Sequence, residues 1–140
     1  MRVQFEATEG YGAVKVVTGV ATANNVELIQ MLFDGFLDTL SLARGHIQHN
    51  AIEEKSRALS KAGRIVVGLQ SALDFEKGGE LAKNLNDLYA YVLRRLFLVN
   101  ARNDLEILAE VHGLMREVAQ AWQALPSLLK VKGASAYSVN

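Results

Sequence analysis

The chain has 140 residues, with 15 Lys and Arg against 15 Asp and Glu, no Cys and one Pro. The missing Cys excludes disulfides, thiol catalysis and Cys-based zinc sites, and the balanced charge argues against nucleic acid or an acidic membrane as the main ligand. Half of the residues are hydrophobic and 21% are charged, an apolar surplus for a domain of this size that hints at a partner.

Residues 1–23 are predicted to form an extended N-terminal arm, because the stretch 11–20 is β-branched, interrupted by Gly and without helical periodicity. The start of the chain lacks the apolar core of a secretory signal, and no uninterrupted aliphatic or aromatic run, such as that at 96–99, is long enough to span a bilayer. We therefore expect a cytoplasmic protein with no membrane insertion. The arm residues that could lie on the folded domain are Tyr11, Val14, Val16, Val17 and Val20.

Apolar residues then recur at spacings of three and four, which predicts helices at about 24–48, 51–76, 79–102 and 104–125. Asn24, Asn50 and Asn103 each precede a Glu by three residues, as in a capping box, and Gly78-Gly79 would end the second helix and open the third. Connections this short favour an all-α, antiparallel up-down four-helix bundle at 24–132. The pattern allows a short fifth helix after Pro126, and 133–140 would be a flexible tail.

Placing the residues at 100° steps gives one core stripe on each helix, which includes Phe33 and Phe36 on the first helix and Leu81 and Val92 on the third. The second helix is intermediate, with Val67 on a flanking face. On the first and third helices, further apolar residues remain outside the core stripe. One core does not readily cover both sets, so we predict that they form a partner-binding surface. On the first helix these residues are Leu28, Met31, Gly35 and Leu42, and on the third they are Ala90, Tyr91, Leu93, Phe97 and Leu98.

The sequence offers no catalytic, cofactor or metal site. His46 and His49 lie together without another type of ligand beside them, and His112 is isolated. No Glu stands three residues before a His, as a di-iron bundle would require, and no paired carboxylates or phosphate-binding loop are evident. We expect no enzyme activity, no cofactor and no bound metal.

Several ordered segments between about residues 20 and 125 resemble the flagellin-specific export chaperones, the FliS family. Residues 20–35, with Phe33-Asp34-Gly35, are similar to the opening of the family, although Asn24-Asn25 replaces Ser-Pro and Phe33 replaces a Tyr. The segments 73–82, 85–96 and 100–114 continue the likeness. The resemblance implies a non-enzymatic chaperone that binds the C-terminal segment of unassembled flagellin, prevents premature polymerisation and assists type III export, with the export gate as a further partner.

On this interpretation the client contacts are Leu28, Met31, Leu42, Tyr91, Leu93, Phe97 and Leu98. Changing Leu93 to Asp is expected to abolish client binding without unfolding the protein. The arm is a weak competitor for the same surface, so that deletion of residues 1–18 changes the affinity. The alternatives are a homodimeric four-helix module without a client and, less favoured, a ligand- or metal-binding bundle.

Overall fold

The computed structural model describes the backbone of residues 18–131 and the side chains of residues 26–124. The described chain forms four helices, which confirms the predicted all-α four-helix fold. No described helix has a stretch that is both long and apolar enough to cross a membrane. The helices are α1 at Thr18–Gln48, α2 at Ile52–Ser71, α3 at Phe75–Arg102 and α4 at Leu105–Val131.

The helices pack in a ring, in which each contacts the next and α4 closes on α1, while the backbones of the diagonal pairs do not approach closely within the described residues. The α1–α4 seam is antiparallel, since Nε1 of Trp122 in the C-terminal half of α4 donates to the carbonyl oxygen of Val26 in the N-terminal half of α1, at 3.0 Å. Large side chains with almost no exposure fill the centre, and they are Phe33, Phe36, Leu40, Val66, Leu69, Val92, Val99, Val111 and Met115.

The turn between α1 and α2 is built on Asn50, which has a left-handed φ of 55°. The amide of Ala51 donates to the carbonyl oxygen of His46 at 2.8 Å, and that of Asn50 donates to Ile47 at 3.2 Å. These two bonds form a Schellman motif with Asn50 at the C′ position. The prediction that Asn50 caps α2 is therefore wrong, because the residue ends α1 instead; Ala51 precedes α2 without a side-chain cap.

The turn between α3 and α4 shows the same exchange of roles. Asn103 has a left-handed φ of 53° and ends α3, so it is not the N-cap of α4 as predicted. The carboxylate of Asp104 fills that role, because its Oδ1 accepts from the amides of Glu106 and Ile107, both at 3.0 Å. Nζ of Lys55 on α2 donates to the carbonyl oxygen of Asn100 at 3.0 Å and to Oδ1 of Asn103 at 2.6 Å. A buried lysine thus satisfies the last turn of α3.

The boundary between the second and third helices also lies earlier in the chain than predicted. Asp74 is the N-cap of α3 and accepts from the amides of Glu76 and Lys77, both at 3.0 Å, whereas the sequence pattern predicts that the second helix continues to residue 76. Gly78-Gly79 therefore lies inside α3, where Gly79 adopts φ 50° and ψ −124° and kinks the helix after its first turn. A side chain on Gly78 would meet Cβ of Ala82 at 2.8 Å, so the kink brings the backbone close to a buried residue.

Replacing Gly79 with Ala is expected to lower the free energy of unfolding by about 1–3 kcal/mol, because residues with a Cβ rarely adopt this conformation. The matched control is Gly113→Ala, since Gly113 lies inside α4 with no atom within 4 Å of an added Cβ. We expect that change to stabilise the protein by up to about 1 kcal/mol through helix propensity. Urea denaturation of both variants measures the difference, and equal stabilities would contradict the assigned strain.

The ends of the bundle differ from the prediction. α1 begins at Thr18 and runs through Asn24, so 18–23, including Val20, is helical instead of extended and Asn24 lies inside the helix instead of at its start. The Ala residues in 20–25 and the absence of Pro favour this extension. α4 continues through Pro126 to Val131, and no separate fifth helix follows Pro126 in the described chain. The arm residues Tyr11, Val14, Val16 and Val17 and the tail at 133–140 lie outside the described residues.

Candidate functional site

Large apolar side chains that the core leaves exposed mark the candidate surface. On α1, Met31 is 68% exposed and Leu42 is 60% exposed; on α3, Phe97 is 72% exposed. Val67 of α2, at 50%, was not among the residues predicted from the sequence. A second group lies near the helix ends and comprises Ile52, Phe75, Leu81 and Leu105. The central group is the stronger candidate, because it lies along the length of the bundle.

Met31 and Leu42 border the seam between α1 and α2. Gly35 faces this seam, since a Cβ placed on it would lie 3.7 Å from Cδ1 of Ile65. At 3.6 residues per turn, Met31 and Leu42 lie only about 40° and 20° round the helix from Gly35. Both side chains therefore project from the outer edge of the seam, where a bound partner could cover them. We call these two residues the α1 face.

Phe97 and Val67 border the next seam, between α2 and α3. Cδ2 of Leu93 lies 3.7 Å from a Cβ placed on Gly63, so these two residues meet at the centre of the seam. Val67 and Phe97 each follow one of them by four residues, and therefore lie about 40° further round their helices. We call the apolar surface along this seam, formed by Gly63, Val67, Leu93 and Phe97, the α2–α3 groove. The exposed apolar groups thus flank α2 on both of its seams.

The other predicted client residues are less accessible than the sequence suggested. Leu93 and Leu98 are partly buried and pack against the core cluster, and Leu28 is also partly buried. The angular position of Leu93 predicts an exposed residue. In the structure, Gly63 has no side chain and leaves space in which Leu93 packs between the two helices. The accessible surface is therefore concentrated in Met31 and Leu42 on α1 and in Phe97 on α3, together with Val67.

Tyr91 joins a polar network between α3 and α4. Its hydroxyl donates to Oε2 of Glu110 at 2.5 Å, and Nε and Nη2 of Arg95 donate to Oε1 at 3.1 and 3.0 Å. These bonds lower the pKa of Glu110, chiefly through Tyr91, and the bond to the carboxylate raises the pKa of Tyr91. The guanidinium of Arg94 lies 5.9 Å from the Tyr91 ring centre. Tyr91 therefore helps to join the two helices, and its ring is held beside two cations.

The other titratable groups with shifted pKa values in the described part of the chain lie apart from one another. Burial raises the pKa of Tyr89 to about 12, so its phenol stays protonated. Burial, and then the charges of Arg116 and Arg44, lower the pKa of His112. Within residues 26–124 no three His, Asp or Glu side chains come together as metal ligands. The described geometry offers apolar surface for binding in place of reacting groups.

Comparison with known proteins agrees with a role in binding. The profile of the family described as flagellar protein FliS matches residues 7–128. The flagellar secretion chaperone FliS of Salmonella typhimurium is 43% identical over 118 residues, covering 84% of this chain and 87% of the relative. FliSB of Pseudomonas aeruginosa is 42% identical over 121 residues, covering 86% and 96%. FliS of Escherichia coli is 40% identical over 129 residues, covering 89% and 95%.

These relatives are named as secretion chaperones and not as enzymes, in agreement with the prediction of a non-enzymatic protein. The match extends over nearly the whole described bundle, including the α1 face and the α2–α3 groove. The resemblance noted in the sequence is confirmed: the chain belongs to the FliS family of flagellar secretion chaperones.

Proposed function

We propose that the protein is a cytoplasmic export chaperone that binds the C-terminal segment of unassembled flagellin, prevents its premature polymerisation and delivers it to the flagellar export gate. Its membership of a family with curated members named flagellar secretion chaperones supports the proposal. The single structural observation that carries it is the exposed apolar surface on a bundle that already has a complete core. An amphipathic client segment would cover that surface and protect its own apolar side chains.

The proposed contacts differ in what they would contribute. Met31, Leu42 and Phe97 supply accessible apolar area, which a client removes from water on binding. Leu28, Tyr91, Leu93 and Leu98 are partly buried and would form the edges or floor of the contact. Residues 1–17 are proposed to cover part of this surface when no client is bound, through Tyr11, Val14, Val16 and Val17; Val20 belongs to α1.

Calorimetry with the C-terminal segment of the flagellin encoded in the same genome tests the proposal. We expect the wild-type protein to bind the segment, and the double variant Met31→Ser, Leu42→Ser to bind it at least about tenfold more weakly, because two exposed apolar side chains are lost. The matched control is Ile52→Ser, Leu105→Ser, which removes two other exposed apolar residues, at the start of α2 and of α4, and leaves the affinity unchanged.

Failure of the wild-type protein to bind the segment would reject the proposal. The alternative, a homodimeric module without a client, uses the same exposed residues. It predicts that sedimentation gives a dimer without any added peptide, and that Met31→Ser, Leu42→Ser converts the dimer to a monomer.

A further inference from the structure

The net charge of zero conceals an uneven distribution along the chain. Residues 55–73 contain four Lys and Arg and no Asp or Glu, and residues 88–103 contain three Arg and no acidic residue. The first segment covers most of α2 and the second covers the C-terminal half of α3. The part of the α2–α3 side that these two segments form is therefore basic, while the acidic residues of the same helices lie in the first turn of α2 and in the N-terminal half of α3.

Two of these cations are already used within the bundle. Lys55 is 6% exposed and bonded to the end of α3, and Arg95 is paired with Glu110 of α4 at 3.0 Å. Arg57, Arg64 and Arg94 have exposed side chains, although the guanidinium of Arg94 also lies 5.9 Å from the ring centre of Tyr91. Arg57 reaches Glu53 and Glu54 only at 3.8 and 4.0 Å, in exposed pairs that contribute little. The outer side of the two helices thus presents cations to solvent.

The same short pattern occurs on both helices. On α2, Gly63 faces the seam, Arg64 follows it directly and Val67 lies one turn on; on α3, Leu93, Arg94 and Phe97 have the same spacing. In each case the Arg lies three residues before the exposed apolar residue. Round the helix axis, its side chain is therefore about 60° further from the core than that apolar side chain. Because the helices are antiparallel, the two patterns are related by an approximate twofold axis at the Gly63–Leu93 contact.

The α2–α3 groove therefore has an apolar floor with a basic rim on each side. Arg64 also lines a shallow concavity on the outer surface of α2, together with Ser56, Arg57 and Ser60. Single-stranded nucleic acid would use the cations and could stack a base on Phe97, but it would leave the aliphatic part of the floor, at Val67 and Leu93, without an apolar partner. A helix with an apolar stripe would cover Val67 and Phe97, and carboxylates on both sides of that stripe would reach Arg64 and Arg94.

We propose that the α2–α3 groove binds an amphipathic helix of the client in which Asp or Glu residues flank the apolar stripe on both sides. This inference rests on the proposed chaperone function and adds the chemistry that selects the bound segment. The apolar contact supplies most of the affinity, while the two rims favour acidic-flanked helices and orient them along the groove.

Charge reversal in the full-length protein tests the inference. The probes are the flagellin C-terminal segment and two synthetic helices that share one apolar stripe, flanked by Glu in one and by Lys in the other. Wild type is expected to prefer the Glu peptide by about tenfold at low salt, and Arg64→Glu, Arg94→Glu to reverse that preference. The same variant weakens binding of the flagellin segment. The matched control is Arg44→Glu, Arg116→Glu, whose positions are on α1 and α4, and it keeps the wild-type preference.

The outcomes separate this inference from the chaperone proposal. If the flagellin segment binds wild type and the groove variant equally, the inference is wrong and the proposed function stands. If wild type does not bind the flagellin segment, the proposed function fails. The relative affinity for the two synthetic helices then tests by itself whether the groove selects acidic-flanked helices. Equal affinity of wild type for both synthetic helices, or tighter binding of a single-stranded oligonucleotide, would overturn the inference. Circular dichroism verifies that each variant is folded.

Discussion

Replacing Leu93 with Asp is expected to destabilise the bundle severely, whereas the same change at Phe97 leaves the fold intact and weakens client binding. Leu93 packs against the core and against Gly63, so a carboxylate there would lose apolar contacts and be partly desolvated without a partner. Such a change costs about 3 kcal/mol or more, a large part of the total stability of about 5–15 kcal/mol. Phe97 is 72% exposed, so Asp at that position remains solvated.

Urea denaturation followed by circular dichroism, together with calorimetry using the flagellin segment, measures both effects. The two positions are four residues apart on α3, so the pair separates a packing role from a binding role within the same helix. This expectation replaces the sequence-based one, in which Leu93→Asp abolishes binding without unfolding. A stably folded Leu93→Asp variant would show that the residue is less important for packing than its position at the seam indicates.

Replacing Lys55 with Met is expected to cost about 1–3 kcal/mol of stability. Its ammonium group donates to the carbonyl oxygen of Asn100 and to the side chain of Asn103, where α3 ends and its terminal carbonyls lack partners within the helix. Met fills a similar volume, but it leaves both acceptors without this donor, and it removes a positive charge from the negative end of the helix dipole. The substitution is expected to weaken the packing of α2 against α3 as well as the last turn of α3.

The matched control is Lys61→Met, because Lys61 lies on the same helix with an exposed side chain. A surface substitution of this kind changes stability by less than about 0.5 kcal/mol. Hydrogen exchange at the last amides of α3 gives a second, local readout, and faster exchange there is expected only for Lys55→Met. Equal unfolding free energies and equal exchange in the two variants would contradict a capping role for Lys55.

Periodicity in the sequence was sufficient to find the helices and most of the core. Phe33 and Phe36 of α1 and Val92 of α3 were placed on core stripes and are almost completely buried. This works because a regular helix repeats the same face every three or four residues, so the apolar pattern reports directly which side is covered. Leu81 is an exception: it was assigned to the core stripe of α3 but is 66% exposed, close to the kink at Gly79.

Helix boundaries were predicted less well, because Asn suits two different positions at a helix end. Its side chain accepts from free amides at an N-cap, and its backbone tolerates a left-handed conformation at the end of the preceding helix. At Asn50 and Asn103 the left-handed role prevails. Asp104, directly after Asn103, is an equally good N-cap by sequence, and the contact of Asn103 with Lys55, 48 residues away in the chain, cannot be read from the local sequence.

The sequence predicts which helices carry the binding surface, but it does not predict how deeply each of its side chains is buried. Angular position identified Phe97 and Met31, yet it could not show that the space above Gly63 admits Leu93 into the seam. The sequence pattern places Val67 on a flanking face of the second helix and does not identify it as a binding residue. In the structure it is 50% exposed and lies beside the same groove. The total charge also concealed the basic side of the bundle, because a sum over the chain contains no information on location.

The ring of contacts in the bundle also affects how quickly the protein becomes functional. Three of its four interhelical seams join helices that follow each other in sequence, and only the α1–α4 seam links distant parts of the chain. Folds dominated by such local contacts reach the native state in about microseconds to milliseconds. Ribosomes add only about 5–20 residues per second. The bundle is therefore expected to close as soon as α4 is free of the ribosome, so that synthesis, and not folding, sets the supply of active protein.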